Sequence, residues 1–328
     1  MSHPGASGPD RPEAPRVTVR PGGGRAADAA LAASESAASR ARLRTLKGIF
    51  LMLASTFMFA AMHATIRTVS AELHPFEIAF FRNLFGFLIV VPWLIRYGIG
   101  PLRTSRPGLH LLRGAFNIVA MLSFFTALTI APLAEVTALN FTAPIFATLL
   151  AIPIFKETVR LRRWTAIVLG FAGVLIILRP GFAGAGTGQL LALLAAVTWG
   201  CALLVIKRLG QTDSSITIIA WMAMMMIPAS FVPALFVWQT PSLGALGWLV
   251  LIGLLGNMGQ LAMTEAIRQA DAGVVMPIDF FKLIWVALLG YLLFAEVPGI
   301  FTWIGGAIIF TSTAYIAYRE QQVSRTPG

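Results

Sequence analysis

Two charged residues, Asp279 and Lys282, interrupt an apolar run that continues to Phe294. They are three residues apart, so on a helix they share one face and can form an ion pair. An ionisable side chain near the centre of a membrane helix costs about 2.5–3.5 kcal/mol and needs a partner or a wet cavity. The two residues therefore either neutralise each other within the structure, or line a cavity and meet a charged substrate group or a proton. We favour the cavity, because inverted-repeat carriers place their sites near the membrane midplane.

Arg82 and Glu135 are polar residues in two other apolar segments. Arg82 could extend its side chain to the membrane surface, pair with Glu77 or Glu135, or bind an anionic substrate group. We expect one of the two carboxylates to be its partner. Glu135 either lies at the outer mouth of a cavity or stands in the first turn of a helix, where the helix dipole favours a negative charge. We expect the second arrangement.

Three further residues are candidates for substrate binding or coupling. His63 is expected to be the only histidine inside the membrane and to be held by packing, although imidazole titrates in the range that proton coupling requires. Glu265 precedes Arg268 by three residues, which predicts an ion pair at the membrane interface, with proton coupling as the alternative. Trp285 lies one turn beyond Lys282 and either packs within the protein or stacks on an aromatic or cationic substrate.

The composition of the chain is that of a membrane protein. Its 328 residues are 57% hydrophobic and only 12% charged, with a mean hydropathy of +0.78, whereas soluble domains carry about 25% charged residues. The net charge of +11 comes mostly from an N-terminal segment and short turns, where basic residues meet anionic lipid headgroups rather than nucleic acid. The single cysteine, Cys201, excludes a disulfide within the chain.

Turn residues and charges divide the apolar region into ten segments of about 20 residues, the length needed to cross roughly 30 Å of hydrocarbon. The predicted spans are residues 46–69, 75–97, 107–129, 132–154, 161–179, 187–209, 214–238, 244–268, 272–294 and 298–319. With the N-terminus in the cytoplasm, nearly all Lys and Arg fall in cytoplasmic turns and tails, and only Arg67 and Arg179 fall outside. This asymmetry predicts that both termini are cytoplasmic.

The chain contains an internal repeat with an offset of about 139 residues. "FKETVRLRRW" (155–164) and "FAEVPGIFTW" (294–303) share Phe-x-Glu-x6-Trp. Asn140 is the counterpart of Asp279 and is therefore a further candidate for substrate binding or coupling. Each repeat holds five spans, and because five is odd, the second repeat must be inverted in the membrane relative to the first. We therefore predict an all-α membrane protein with ten transmembrane helices in two inverted five-helix repeats.

The predicted repeats cover residues 43–184 and 185–320. Residues 1–42 are rich in Gly, Pro, Ala, Ser and Arg and lack the apolar region of a signal peptide, so we expect a disordered, basic cytoplasmic tail. Residues 321–328 are expected to form a second cytoplasmic tail. The loops between spans are short and leave little room for a soluble catalytic domain.

The two repeats resemble the EamA-type drug/metabolite transporter superfamily. The resemblance rests on "LNFTAPIFATLLAIPIFKETV" (139–159), "MPIDFFKLIWVALLGYLLFAEVP" (276–298) and "HPFEIAFFRNLFGFLI" (74–89), and it covers about residues 45–320. It implies a ten-helix carrier of the cell inner membrane, usually an exporter of metabolites or drugs. Members of the family handle amino acids, nucleoside-like compounds, vitamins and toxic cations, so the substrate stays open.

No sequence motif indicates a cofactor, a metal or ATP hydrolysis. The chain lacks Gly-x4-Gly-Lys-Ser/Thr, a Cys/His cluster and His-Glu-x2-His, so flux would be driven by a gradient of substrate or of protons. The sequence therefore predicts a secondary transporter, with export of a small organic metabolite as the expected direction. An intramembrane lipid-modifying enzyme and a passive channel are the alternatives, and the oligomeric state is open.

Overall fold

The computed structural model describes residues 23–97, 104–155, 161–179, 186–270 and 272–325. Within these ranges the chain is helical apart from short turns, and it contains no β-strand. The helices are α1 (Gly23–Val69), α2 (Pro75–Tyr97), α3 (Pro107–Ile130), α4 (Leu133–Asn140), α5 (Ala143–Phe155), α6 (Leu161–Leu178), α7 (Thr187–Leu209), α8 (Ser215–Leu235), α9 (Leu243–Gln269), α10 (Ala272–Val275), a 3-10 helix (Met276–Phe280), α11 (Phe281–Phe294) and α12 (Ile300–Arg325). Among the described residues, those up to Arg44 belong to one unit, and those from Thr45 onward belong to a second, the helical bundle described below.

The helices form ten segments that correspond to the ten predicted spans. In the described ranges, 7 segments are long and apolar enough to cross a membrane, and two shorter apolar helices cover Trp164–Leu178 and Ile300–Ile316. The tenth segment is α2. Two of the ten are interrupted, because α4 and α5 share one span, and the 3-10 helix and α11 share another. The chain is therefore a multi-pass membrane protein.

The first helix begins earlier than the composition predicts. Residues 1–22 lie outside the described part of the chain, but residues 23–42, which we expected to be disordered, are helical. This segment is rich in alanine, which has the highest intrinsic helix propensity of any residue. Low hydrophobicity does not prevent such a segment from forming a helix, so the expectation of disorder is wrong for residues 23–42.

Side-chain contacts sort the helix ends of the bundle into two sets. At one end, Arg67 near the end of α1 pairs with Glu296 beyond α11, and Leu133 at the start of α4 donates its amide to Glu296. At the other end, His110 in the first turn of α3 is hydrogen-bonded to Asp213 in the turn between α7 and α8. We call these the Arg67 end and the Asp213 end. This assignment of helix ends agrees with the prediction that successive spans cross the membrane in opposite directions.

The internal repeat is visible in the backbone. The turn after α1 and the turn after α7 are equivalent, since Leu73 N and Asp213 N each bond to the carbonyl four residues earlier. The residues that end α3 and α9 are also equivalent: Ala131 has φ −133° and ψ 159°, and Ala270 has φ −140° and ψ 158°. The backbone therefore repeats where the sequence does.

Each repeat contains one interrupted helix, at equivalent positions. The helix α4 ends at Asn140, and the amides of Phe141 and Thr142 bond to carbonyls three residues earlier before α5 begins. In the second repeat, the 3-10 helix separates α10 from α11. The rings of Phe141 and Phe280 lie together at these breaks, with centroids 6.1 Å apart. In secondary transporters, discontinuous helices of this kind make backbone groups available to a cavity.

Helices α6 and α12 approach each other closely at two glycines. A β-carbon on Gly305 would lie 2.6 Å from the carbonyl oxygen of Gly173, and one on Gly173 would lie 2.8 Å from that of Gly305. Membrane helices rely on such close packing through small residues, because lipid supplies no hydrophobic driving force between them. Any side chain at this crossing must push the two backbones apart.

The variant Gly305→Ala is expected to lower the Tm of the purified protein in detergent. Its methyl group would overlap the α6 backbone, and overpacking of this kind costs about 1–3 kcal/mol. Gly247→Ala is the matched control, since a β-carbon there meets no atom within 4 Å. Alanine at that helical position is expected to stabilise the protein by roughly 0.5–1 kcal/mol. Equal Tm values for the two variants would contradict the described contact.

Candidate functional site

The ion pair between Asp279 and Lys282 lies at the interruption of the ninth span. Asp279 belongs to the 3-10 helix, and Lys282 stands in the first turn of α11. The Lys282 Nζ atom lies 3.2 Å from Oδ2 and 3.3 Å from Oδ1 of Asp279. The side chains of Lys282 and Asp279 are 15% and 25% exposed, so each keeps a face on which a further group can bind.

Aromatic rings surround the Lys282 ammonium group. Its Nζ atom lies 4.8 Å from the ring centroid of Phe141 and 5.8 Å from that of Phe59, within the range of a cation–π interaction. Phe59 comes from α1, and Phe141 comes from the break between α4 and α5. The first repeat therefore supplies the aromatic surroundings of a charged pair that belongs to the second.

Trp285 lies one turn further along α11 and extends the aromatic surface. Its ring meets the ring of Phe57 edge to face, with centroids 5.5 Å apart. Within the described part of the chain, the buried indole Nε1 has no hydrogen-bond partner. A buried donor without an acceptor costs about 1–3 kcal/mol, so an acceptor on a bound molecule would relieve this cost.

His63 lies on α1, four residues and about one turn beyond Phe59, whose ring faces Lys282. Its side chain is buried, and its ring meets that of Phe124 with centroids 5.0 Å apart. Among the described residues, its Nδ1 atom has no hydrogen-bond partner. His63 is thus packed, as expected, but its polar atom is left available at the edge of the site.

Arg82 does not have the carboxylate partner that we expected. Its Nη1 atom donates to Asn83 Oδ1 at 3.0 Å. Glu77 accepts hydrogen bonds from two backbone amides instead, and Glu135 accepts one from Gln189. The predicted ion pair is therefore wrong, because each carboxylate is bonded to other amide groups and neither is paired with Arg82.

Asn140 and Glu135 lie at the two ends of α4. Asn140 is the last residue before the break, on a helix that packs against α11. Glu135 stands in the first turn, as the dipole argument predicts, and accepts a hydrogen bond from Gln189 Nε2 at 2.9 Å. Glu135 therefore joins α4 to α7, whereas Asn140 lies at the opposite end of α4, next to the break between α4 and α5.

Glu265 pairs within its own helix. Its carboxylate lies 3.6 Å from Arg268 Nη1, and it accepts a hydrogen bond from Gln269 Nε2 at 2.6 Å. The Arg268 side chain is 76% exposed. This geometry is that of an exposed ion pair near the end of α9, and it gives no support to a coupling role.

A buried polar cluster that was not predicted from the sequence lies at the Asp213 end. His110 Nε2 lies 2.7 Å from Asp213 Oδ2, and Thr104 Oγ1 donates to the same oxygen at 2.5 Å. The His110 ring stacks on that of Trp221 with centroids 5.0 Å apart. Because His110 is buried in the first turn of the third span, the expectation that His63 is the only histidine inside the membrane is wrong.

The same cluster ties the first repeat to the second. It joins the start of α3 to the turn between α7 and α8. The hydrogen bond from Thr104 and the contacts with His110 hold the pKa of the Asp213 carboxyl below its usual value, although burial acts in the opposite direction. The ionised form of Asp213 is therefore the one that stabilises this connection.

The variant Asp213→Asn is expected to destabilise the protein by about 1–3 kcal/mol at neutral pH, the usual cost of losing hydrogen bonds to a charged group. A carboxyl whose folded pKa is depressed stabilises the protein above its unfolded pKa, about 3.9 for Asp, and less as pH falls through the folded pKa. The Tm difference from the unmodified protein should therefore shrink below about pH 4. Equal Tm values at neutral pH would contradict this role.

At the Arg67 end, the helices that surround the Lys282 site meet in one cluster. Arg67 Nη1 pairs with Glu296 and donates to Ala131 O at 2.8 Å, while Glu296 Oε2 accepts from Leu133 N at 2.9 Å. The cluster thus ties together α1, α4 and α11, which border the ion pair. The repeat counterpart of Glu296, Glu157, lies outside the described residues.

The two halves of the chain each match the same family of known proteins. A sequence model of the EamA-like transporter family matches residues 46–179 and again residues 186–318. A solved crystal structure with 20% sequence identity shares the fold, with a TM-score of 0.53 over 87% of this chain and 99% of its own.

Two characterised relatives cover most of the chain. The S-adenosylmethionine uptake transporter of Rickettsia bellii is 30% identical over 275 residues, which are 84% of this chain and 94% of that protein. The riboflavin transporter of Vibrio cholerae is 33% identical over 286 residues, which are 85% of this chain and 96% of that protein. These matches indicate a transporter of small molecules rather than an enzyme. With ten helical segments, two interrupted spans and a family match over both repeats, the chain belongs to the EamA-like transporter family.

Proposed function

We propose that this chain is a secondary carrier that takes up a small organic metabolite with a planar, nitrogen-containing ring across the cell inner membrane. The observation that supports it most is the Lys282–Asp279 pair, which is partly open and lies in aromatic surroundings between the two interrupted helices. Charged residues at such depth are costly and usually mark a substrate or ion pathway. Carriers of this architecture bind substrate where discontinuous helices meet.

The chemistry of the site supports a ring-containing substrate. S-adenosylmethionine and riboflavin, the compounds named for two relatives, both combine a planar nitrogen-containing ring with a polar chain. Trp285, Phe57 and Phe141 offer aromatic surfaces, and ring–ring contacts contribute about 0.5–1.5 kcal/mol beyond area burial. Lys282 and Asp279 would then meet the polar chain.

Uptake replaces the export that the sequence led us to expect. One of the two relatives is named an uptake transporter, and neither is named an exporter, so export is not supported. We propose that a gradient of substrate or of protons drives the flux, since the chain lacks a nucleotide-hydrolysis motif. Dissipating the proton gradient with an ionophore would separate these two driving forces.

Alternating access between two inverted repeats is supported by the pattern of helix contacts. Three spans pack against their own repeat counterparts: α2 against α8, α6 against α12, and the fourth span against the ninth through α4 and α11. In the repeat, α9 corresponds to α3 and α1 corresponds to α7. The packing of α3 against α7 therefore has its counterpart in the packing of α9 against α1, where Ser55 Oγ donates to Gly259 O at 2.7 Å. If the two repeats exchange conformations, equivalent helix contacts form again. Such a bundle can open to one side of the membrane and then to the other.

The charge distribution supports cytoplasmic termini. Arg106, Lys207 and Arg208 lie at the Asp213 end, whereas Glu72, Glu77, Glu135 and Glu296 lie at the Arg67 end. Basic residues are retained on the cytoplasmic side of membranes. We therefore propose that the Asp213 end, and with it both termini, faces the cytoplasm.

Uptake into liposomes that contain the purified protein tests the proposal. With radiolabelled S-adenosylmethionine and riboflavin as probes, we expect saturable uptake of at least one compound and none into protein-free liposomes. Uptake that stays proportional to concentration would indicate a channel. Lipid turnover without flux would indicate an enzyme. If neither probe enters, the proposed substrate class is wrong.

A further inference from the structure

Arg82 is a cation inside the bundle that no carboxylate in the described part of the chain neutralises. Its hydrogen-bond partner there, Asn83 Oδ1, is a neutral group at 3.0 Å. Asn83 is itself fixed, because its Nδ2 atom donates to Ser230 Oγ at 3.1 Å and to Met226 O at 3.4 Å. The amide therefore orients the guanidinium without removing its charge, and most of the guanidinium N–H groups keep no protein acceptor among the described residues.

The Arg82 guanidinium lies against α9, and the Lys282 site reaches the same helix through Phe59. On α9, Gly259 faces Phe59, since a β-carbon on Gly259 would lie 3.4 Å from that ring, which in turn faces Lys282. One turn along α9, a β-carbon on Gly256 would lie 3.4 Å from Nε and 3.5 Å from Nη2 of Arg82. The guanidinium is therefore displaced by about one helical turn, roughly 5 Å along α9, from the level of the Phe59–Lys282 contact.

The charges of this region do not balance. Asp279 and Lys282 neutralise each other, so the positive charge of Arg82 is left over. An uncompensated guanidinium in a membrane protein is costly unless water or an anion reaches it. Its planar set of N–H donors matches a carboxylate, which it can bind through two parallel hydrogen bonds.

We propose that Arg82 binds a carboxylate of the transported compound, about one turn along α9 from the level of the Phe59–Lys282 contact. The inference rests on the proposed carrier function and narrows it to organic acids and zwitterions. The ring of the compound would lie against Trp285 and Phe57, and its carboxylate would reach Arg82. Among the two named compounds, S-adenosylmethionine carries a carboxylate and riboflavin does not, so the former is the better match.

Ligand binding to the purified protein tests this subsite. The probes are S-adenosylmethionine and its decarboxylated analogue, which differ in the carboxylate, and affinity is measured by ligand-induced thermal stabilisation. A charge-assisted hydrogen bond is lost with the carboxylate, so the unmodified protein should prefer S-adenosylmethionine by roughly 10- to 100-fold. In Arg82→Gln the two affinities should be equal, and Arg82→Lys should keep part of the preference because it keeps the charge.

Two controls separate binding from folding. The side-chain amide introduced by Arg82→Gln can still donate to Asn83, so the Tm of this variant without ligand should not fall below that of the unmodified protein. Arg113→Gln is the matched variant, because Arg113 is a buried arginine that donates to Ile218 O at 2.7 Å. It should lower the Tm and leave the preference for the carboxylate unchanged.

The possible results are distinct. Equal affinities in the unmodified protein, or a preference that persists in Arg82→Gln, would overturn the carboxylate subsite while leaving the carrier function in place. If neither compound binds the unmodified protein, the subsite is rejected together with the proposed substrate class.

Discussion

Replacing Lys282 with alanine is expected to reduce uptake roughly 10- to 100-fold while leaving folded protein in the membrane, because a charge-assisted contact with substrate is worth about 1.5–3 kcal/mol. The change also leaves Asp279 without its partner. Uptake per folded protein in liposomes measures the effect. The double variant Asp279→Asn/Lys282→Gln separates a binding role from a structural one, since it removes both charges and leaves no unpaired ion. We expect that variant to be folded and inactive.

The exposed pair Glu265–Arg268 provides the control for this experiment. It has the same three-residue spacing as Asp279–Lys282, but Arg268 is 76% exposed. Exposed pairs contribute about 0–1 kcal/mol, so Glu265→Gln/Arg268→Gln should transport within about twofold of the unmodified protein. Normal transport by Asp279→Asn/Lys282→Gln would show that Asp279 and Lys282 only neutralise each other and do not bind substrate.

The second large effect is expected from Glu296→Gln at the Arg67 end. Glu296 holds α1 and α4 against α11 through Arg67 and the Leu133 amide. Losing its charge should shift the equilibrium towards opening at this end by roughly 10- to 100-fold, the equivalent of about 1.5–3 kcal/mol. Uptake should fall about tenfold or more, because a carrier must close on each side in turn.

Cysteine labelling measures this opening directly. Thr137 on α4 is buried, and Cys201 is the only native cysteine, so Thr137→Cys in a Cys201→Ala background gives one reporter inside the bundle. A membrane-impermeant maleimide should label it faster when Glu296→Gln is added. Glu72→Gln is the matched control, since its carboxylate accepts one exposed hydrogen bond from Ser242 N at 3.1 Å. Equal labelling rates in all three proteins would contradict the role of Glu296.

The architecture was largely predictable from the sequence because local signals determine it. Apolar length and charged turns define the ten segments, and Pro277 marks the interruption before Asp279, since proline cannot donate a backbone hydrogen bond. The spacing of Asp279 and Lys282 is enough to predict their contact, which the structure places at 3.2 Å. The break at Phe141 is marked by Pro144, which has no N–H to bond to the carbonyl of Asn140, where α4 ends.

The partners of the other polar residues were not predictable, because they depend on contacts between residues far apart in sequence. Nothing in the sequence near Arg82 shows that Glu77 and Glu135 bind groups elsewhere. The contact of His110 with Asp213 joins residues more than a hundred positions apart, and a hydropathy pattern records burial without recording partners. Transport direction has no local signal either, which is why the expected export found no support.

Counterflow tests the central claim, that the chain is an alternating-access carrier with its site at Lys282. Liposomes containing the protein are loaded with unlabelled S-adenosylmethionine and placed in a low concentration of the labelled compound. A carrier returns to the outer side by carrying unlabelled substrate out, so label should accumulate transiently above its equilibrium level. Lys282→Ala should show no such accumulation. Label that only rises to equilibrium, at the same rate with and without internal substrate, would contradict the account.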